Sequence, residues 1–181
     1  MKVLQDIDDI SYNNDDYDYQ PLLTIKLDQA HSQTFTQELI NEIVLWKINR
    51  YAQINPETLE SLNSEVLKNN ILDTEFTRHI LKALLKTPGI RLPMASTILR
   101  FRNPNVYQII DQRAYRILYG SELRSTDPRN DKVIDQQILH YLNYLEKLRI
   151  TAGERSWSFS EMDRILYMLD LKHNKNIPIK T

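Results

Sequence analysis

One carboxylate stands out by its setting. Asp111 closes an apolar run, Val106-Tyr107-Gln108-Ile109-Ile110, and precedes a stretch of helical spacing that starts at Gln112. An Asp in that place can cap the helix after it, because its oxygen accepts from a first-turn N–H. It can also stabilise a developing positive charge or orient an attacking water. The two roles are compatible, since an acid at a helix start also points toward a cleft. Other chemistries find less support. His31, His79, His140 and His173 are scattered, with no pair at ligand spacing. The chain has no cysteine, which excludes thiol catalysis, disulfides and cysteine-ligated zinc. No phosphate loop, nucleotide fingerprint or serine elbow is present. Glu161-Met162-Asp163-Arg164 comes nearest to a paired-acid site. It reads as the first turn of a helix opened by a Ser158–Glu161 capping box.

The elements that must position Asp111 lie just upstream. Leu81, Leu84 and Leu85 are the last apolar rows of an incoming helix. Pro88 cannot continue that helix, and Gly89 tolerates the left-handed backbone of a tight turn. Pro93 suits the first turn of a second helix, in which Met94, Ala95, Ile98 and Leu99 repeat at helical spacing. Two helices joined this tightly expose turn N–H groups and a helix start, a natural seat for a phosphate.

These residues resemble the helix-hairpin-helix DNA glycosylase superfamily, of the endonuclease III type. The likeness rests on Pro88-Gly89-Ile90, on Ala95, and on an Asp eighteen residues past Pro93, and covers roughly residues 81–120. It implies an all-α fold, DNA bound in a cleft between two lobes, and Asp111 as the candidate catalytic residue. In that reading the target base leaves the stack, and Asp111 assists water in hydrolysing the N-glycosidic bond of a damaged or modified base. The implied DNA-contacting residues are Thr87, Gly89, Arg91, Arg100, Arg102 and Arg113. The implied partner is duplex DNA holding such a base; no cofactor or metal is expected. Three departures matter. Arg91 replaces the second hairpin glycine, which alters the turn and any metal held by its carbonyls, and offers a phosphate contact instead. Pro93 stands where bifunctional members carry a Schiff-base lysine, so lyase chemistry by that residue is excluded. Gln112-Arg113-Ala114 follows the Asp in place of the usual Thr-His-Val type. The alternative is a helix-hairpin-helix DNA-binding or assembly protein without chemistry.

Charge is unevenly distributed. The net charge of the 181-residue chain is −1, yet residues 78–124 carry nine Lys and Arg against two acids. That excess is either a phosphate-facing strip or a set of solvated helix faces. Residues 1–19 hold six Asp against one Lys, an acidic arm expected to be loose, with a protein partner or a solubilising role open to it. Three glycines and 41 % hydrophobic residues point to a helical globular protein of about seven helices. No apolar run is long enough to span a membrane, and no secretory pattern opens the chain, so a cytoplasmic location is expected.

The expected organisation is an arm over residues 1–30, with residues 22–27 a short strand or extended, a helical domain over 31–175, and a tail over 176–181. Residues 34–52 read as a central, mostly buried helix. In it Trp46 is either a core residue or a platform for an extruded base, with Lys47 and Asn49 as pocket candidates. Asn55-Pro56-Glu57 opens a helix to about Lys68, with Leu59, Leu62 and Val66 inward. Asp73 caps the next. A helix follows Asp111 and stops at Gly120, another spans 133–150, and a loop holding Gly153, Glu154 and Arg155 leads to the last.

Overall fold

Short polar side chains at helix starts punctuate this chain. Thr36, Asn55, Asp73, Asp111 and Asn130 each accept a hydrogen bond from a first-turn N–H, at 2.7–3.3 Å. The computed structural model describes residues 19–48, 52–124 and 130–179. Among these residues all regular structure is helical: eight α-helices and three short 3-10 turns. None of the helices is long and apolar enough to cross a membrane. By contacts, the chain divides into two compact units, residues 1–51 and 52–181.

The first unit contains α1 (Pro21–Asp28) and α2 (Gln37–Lys47), joined by a 3-10 turn at Ala30–Ser32. The strand or extended arm expected over residues 22–27 is therefore a helix. Pro21 sits in its first turn, where a missing N–H costs nothing, and the Leu22-Leu23-Thr24-Ile25 run is too short to reveal its own period. The central buried helix expected over residues 34–52 is also corrected. In α2 only Leu39 is buried, while Ile40, Val44, Leu45 and Ile48 are exposed. The Trp46 indole N–H donates to Thr24 Oγ1 at 2.9 Å, and Tyr19 meets the ring edge-on and donates its hydroxyl to the Trp46 carbonyl.

The second unit packs α3 (Pro56–Leu62), α4 (Thr74–Lys86), α5 (Leu92–Arg102), α6 (Gln112–Tyr119), α7 (Asp131–Arg155) and α8 (Met162–His173) around one apolar core. Ile80, Leu81, Leu84 and Leu85 of α4 are fully buried, as are Ile138, Tyr141, Leu145 and Leu148 of α7. Each such leucine contributes about 1.5–3 kcal/mol of burial free energy. The principal pairings are α6 with α8 and α4 with α7. Gly120 ends α6 in the left-handed region at φ 68° as its position suggests. Three boundaries differ from expectation. α3 stops at Leu62, a separate 3-10 turn covers Glu65–Lys68, and Leu59 is exposed. α7 runs through Gly153, Glu154 and Arg155 and stops at Ser156, whose φ of 54° reverses the chain. The Ser158 capping box does not form: Ser158 bonds Ser160, and a 3-10 turn at Phe159–Glu161 precedes α8.

Candidate active site

The turn between α4 and α5 is built locally. Thr87 donates its hydroxyl to the Ala83 carbonyl at 3.1 Å, and Ile90 N–H closes back on the Thr87 carbonyl at 3.1 Å. Gly89 adopts φ 83° at the exposed tip, a conformation L side chains rarely take, while buried Ile90 pins the turn to the core. Pro93 lies in the first turn of α5. Ser96, one turn further, does two things: its hydroxyl donates to the Pro93 carbonyl at 2.8 Å and accepts from Ile110 N–H at 3.2 Å. The second helix of the hairpin thus holds the segment that leads into Asp111.

That segment, residues 106–110, belongs to no helix or sheet, yet most of it is buried. A buried run outside regular structure must satisfy its backbone elsewhere. Here α7 supplies the donors from its side chains. Arg149 reaches the Val106 carbonyl at 3.0 Å, Tyr141 the Gln108 carbonyl at 2.8 Å and Tyr144 the Ile109 carbonyl at 2.7 Å. Burial pushes the Tyr141 and Tyr144 hydroxyls well above their ordinary range, so they remain proton donors. The Gln108 amide donates to the Pro104 and Tyr107 carbonyls, and its oxygen accepts from Asp163 N–H at 2.9 Å. Every one of these bonds fixes the approach to Asp111.

Asp111 is partly exposed and caps α6, one oxygen accepting from Ala114 N–H at 2.8 Å. The positive end of the α6 dipole faces the carboxylate. Beside it opens a cavity of about 370 Å³. Ile109, Asp111 and Ala114 form one wall; Asp163, Arg164, Tyr167 and Met168, from the start and first turns of α8, form the other. The volume lies at the small end of ligand pockets, and its lining is mainly apolar. Arg113 lies over the Tyr167 ring at 5.6 Å and donates to Asp170 at 2.8 Å. Asp170 also accepts from Arg116 and Asn174. The Arg116 guanidinium foremost holds the Asp170 carboxyl at about 2. These pairs fasten α6 to α8 and so hold the two walls together.

The DNA-contacting residues implied by the resemblance separate into groups. Gly89 and Arg91 are exposed at the turn, and Thr87 is buried beneath it. Arg102 is partly exposed and donates from Nε to the Leu62 carbonyl at 2.7 Å. Arg100 is corrected: it is 6 % exposed and pairs with buried Asp163 at 2.9 Å, so it does not face an external phosphate. Arg113 is partly exposed, pairs with Asp170 and lies over the ring of Tyr167, which lines the cavity. The basic strip over residues 78–124 is largely neutralised. Lys82 and Lys86 pair with Asp131, and Lys82 also with Asp135, while Arg113 and Arg116 share Asp170. Trp46 is engaged by Thr24 and Tyr19 in the first unit, which is the packing role; Lys47 is exposed in the last turn of α2, and Asn49 lies outside the described residues.

Sequence reading missed the α8 wall. Arg164, Tyr167 and Met168 recur at the spacing of one helical face, but their apolar members look like ordinary amphipathic periodicity. Ser96 and Gln108 did leave a signal, as polar residues inside apolar runs. Compared with protein-family models, curated proteins and solved structures, the chain matches none of them.

Proposed function

We propose that the second unit hydrolyses the N-glycosidic bond of a damaged or modified base in duplex DNA, as a monofunctional glycosylase. The observation that carries the reading is Asp111 itself. It is a partly exposed carboxylate, rigidly delivered from the hairpin helix and opening onto an apolar cavity. An extruded base packs against Tyr167 and Met168 and is read by shape and contact in a mainly apolar pocket. As the bond from the sugar carbon to the base nitrogen lengthens, positive charge grows on the sugar, and the Asp111 carboxylate stabilises it. Water adds to that carbon, Asp111 takes the water's proton, and the departing base acquires a proton from solvent. The net result is free base and an abasic sugar.

The test is single-turnover base release from duplexes carrying a panel of lesions. Asp111→Asn preserves the cap, because Asn caps as well as Asp, while it removes the charge. Release by the wild type, lowered about 10²–10³-fold in Asp111→Asn at unchanged DNA affinity, is the expected result. A second reading, a hairpin protein that binds DNA or assembles without chemistry, is favoured by the departures at Arg91 and Pro93 and by the net charge of −1. Binding with no release from any lesion selects it.

A further inference from the structure

Among the described residues lining the cavity, one is a cation. Arg164 stands on α8 with 60 % of its side chain exposed, and it shares the cavity with Asp111. The arginines nearest in kind are locked: Arg100 by buried Asp163, Arg113 and Arg116 by buried Asp170. Arg164 differs. Its partner is Glu161 at 3.2 Å, itself 47 % exposed, one turn away on the surface. An exposed pair of this kind contributes little and exchanges readily for a better anion. Its backbone, in contrast, is firmly set. Arg164 N–H donates to Asp163 Oδ1 at 2.8 Å, and Asp163 is clamped by Arg100 and receives no freedom from its own N–H, which donates to Gln108.

We propose that Arg164 is the phosphate-binding residue of this site, taking the backbone phosphate next to the extruded nucleotide in exchange for Glu161. The inference rests on the glycosylase reading above and adds the group that holds the nucleotide in place. A nucleotide presents a flat apolar-faced base, a sugar and a phosphate in sequence. The cavity has an almost wholly apolar lining, with Asp111 on one side and Arg164, whose guanidinium reaches out to Glu161, on the other. Without a cation, Asp111 would repel a phosphate brought this close. A guanidinium offers a planar fork that fits two phosphate oxygens, a fit that an exposed carboxylate pair does not improve on. Glu161 therefore acts as a placeholder that keeps the fork extended in the free protein.

The probe is a duplex with one uncharged abasic-site analogue, titrated by fluorescence anisotropy at salt concentrations from about 50 to about 200 mM. Wild type is expected to bind with a steep salt slope. Arg164→Gln should weaken binding about five- to tenfold and lower the slope by about one, whereas Arg164→Lys retains the slope. Glu161→Gln should tighten binding about twofold, since the competing carboxylate is gone. Arg155→Gln, an exposed arginine at the end of α7, is the control and should change neither quantity. A merely structural role for Arg164 would shift the melting temperature and leave the slope as it was. If wild type binds and Arg164→Gln keeps its slope, or if Arg155→Gln lowers it equally, this inference is overturned and the glycosylase reading stands. If Arg164→Gln lowers the slope but no lesion is excised, the chemistry fails and the phosphate contact stands. Absence of wild-type binding overturns both.

Discussion

Asp170→Asn removes one charge and almost no volume, so it isolates what the α6–α8 ion network contributes. Asp170 is inaccessible to solvent, covered by Arg113 and Arg116, which are themselves 28 % and 12 % exposed. The cover is shallow, a lid of side chains over a carboxylate near the surface. Hydrogen bonding from Arg116, then Asn174 and Arg113, lowers its carboxyl from 3.8 to about 2. At about 1.36 kcal/mol per unit, that interval corresponds to about 2.4 kcal/mol, and solvent screening of so shallow a site reduces it to about 1–2 kcal/mol. Because the folded-state value is depressed, the stabilisation is present above the unfolded value of 3.8 and is lost as pH falls through about 2. Urea denaturation of wild type and Asp170→Asn at a series of pH values reads this directly. The variant should be less stable by about 1–2 kcal/mol at pH 7, equally so at pH 5, and should converge on wild type toward pH 2. A difference that does not change with pH would refute the electrostatic account. No difference at neutral pH would mean that desolvation of the three charges cancels their attraction.

Two further substitutions test the frame that positions Asp111. Tyr144→Phe leaves the buried Ile109 carbonyl without its donor and should cost about 1–3 kcal/mol in urea unfolding; a neutral outcome would show that the hydroxyl is dispensable to the segment. Gly89→Ala places a Cβ in open space at φ 83°, so its cost is backbone strain alone, about 1 kcal/mol by the same measurement, and a loss several times larger would reveal a contact at the tip.

Much of this architecture is local and therefore legible. Asn55, Asp73 and Asp111 cap helices, and Gly120 stops one, because capping depends on neighbours three residues away. The position of Asp111 at a helix start follows for the same reason. The cavity beside it does not. Its far wall belongs to α8, about fifty residues onward, and nothing in the spacing of Arg164, Tyr167 and Met168 announces what they face. The charge count over residues 78–124 left two readings open for a related reason. The acids that answer Arg100 and Arg113 are 63 and 57 residues away, and those that answer Lys82 and Lys86 lie on α7, so a sum along a window cannot register them. Residues 22–27 misled through a different cause. Six residues, four of them apolar, carry too little pattern to separate the two regular conformations, and Pro21 was the better guide.

The non-helical run ahead of Asp111 has a bearing on solubility. A non-helical segment with open carbonyls can pair with a second chain, since free backbone acceptors act as a template for cross-chain ladders. In this molecule the carbonyls of Val106, Tyr107, Gln108 and Ile109 are already occupied by side-chain donors. The protein thus keeps a non-helical segment inside its core without leaving open backbone acceptors, and loss of those donors would expose it to self-association as well as to unfolding.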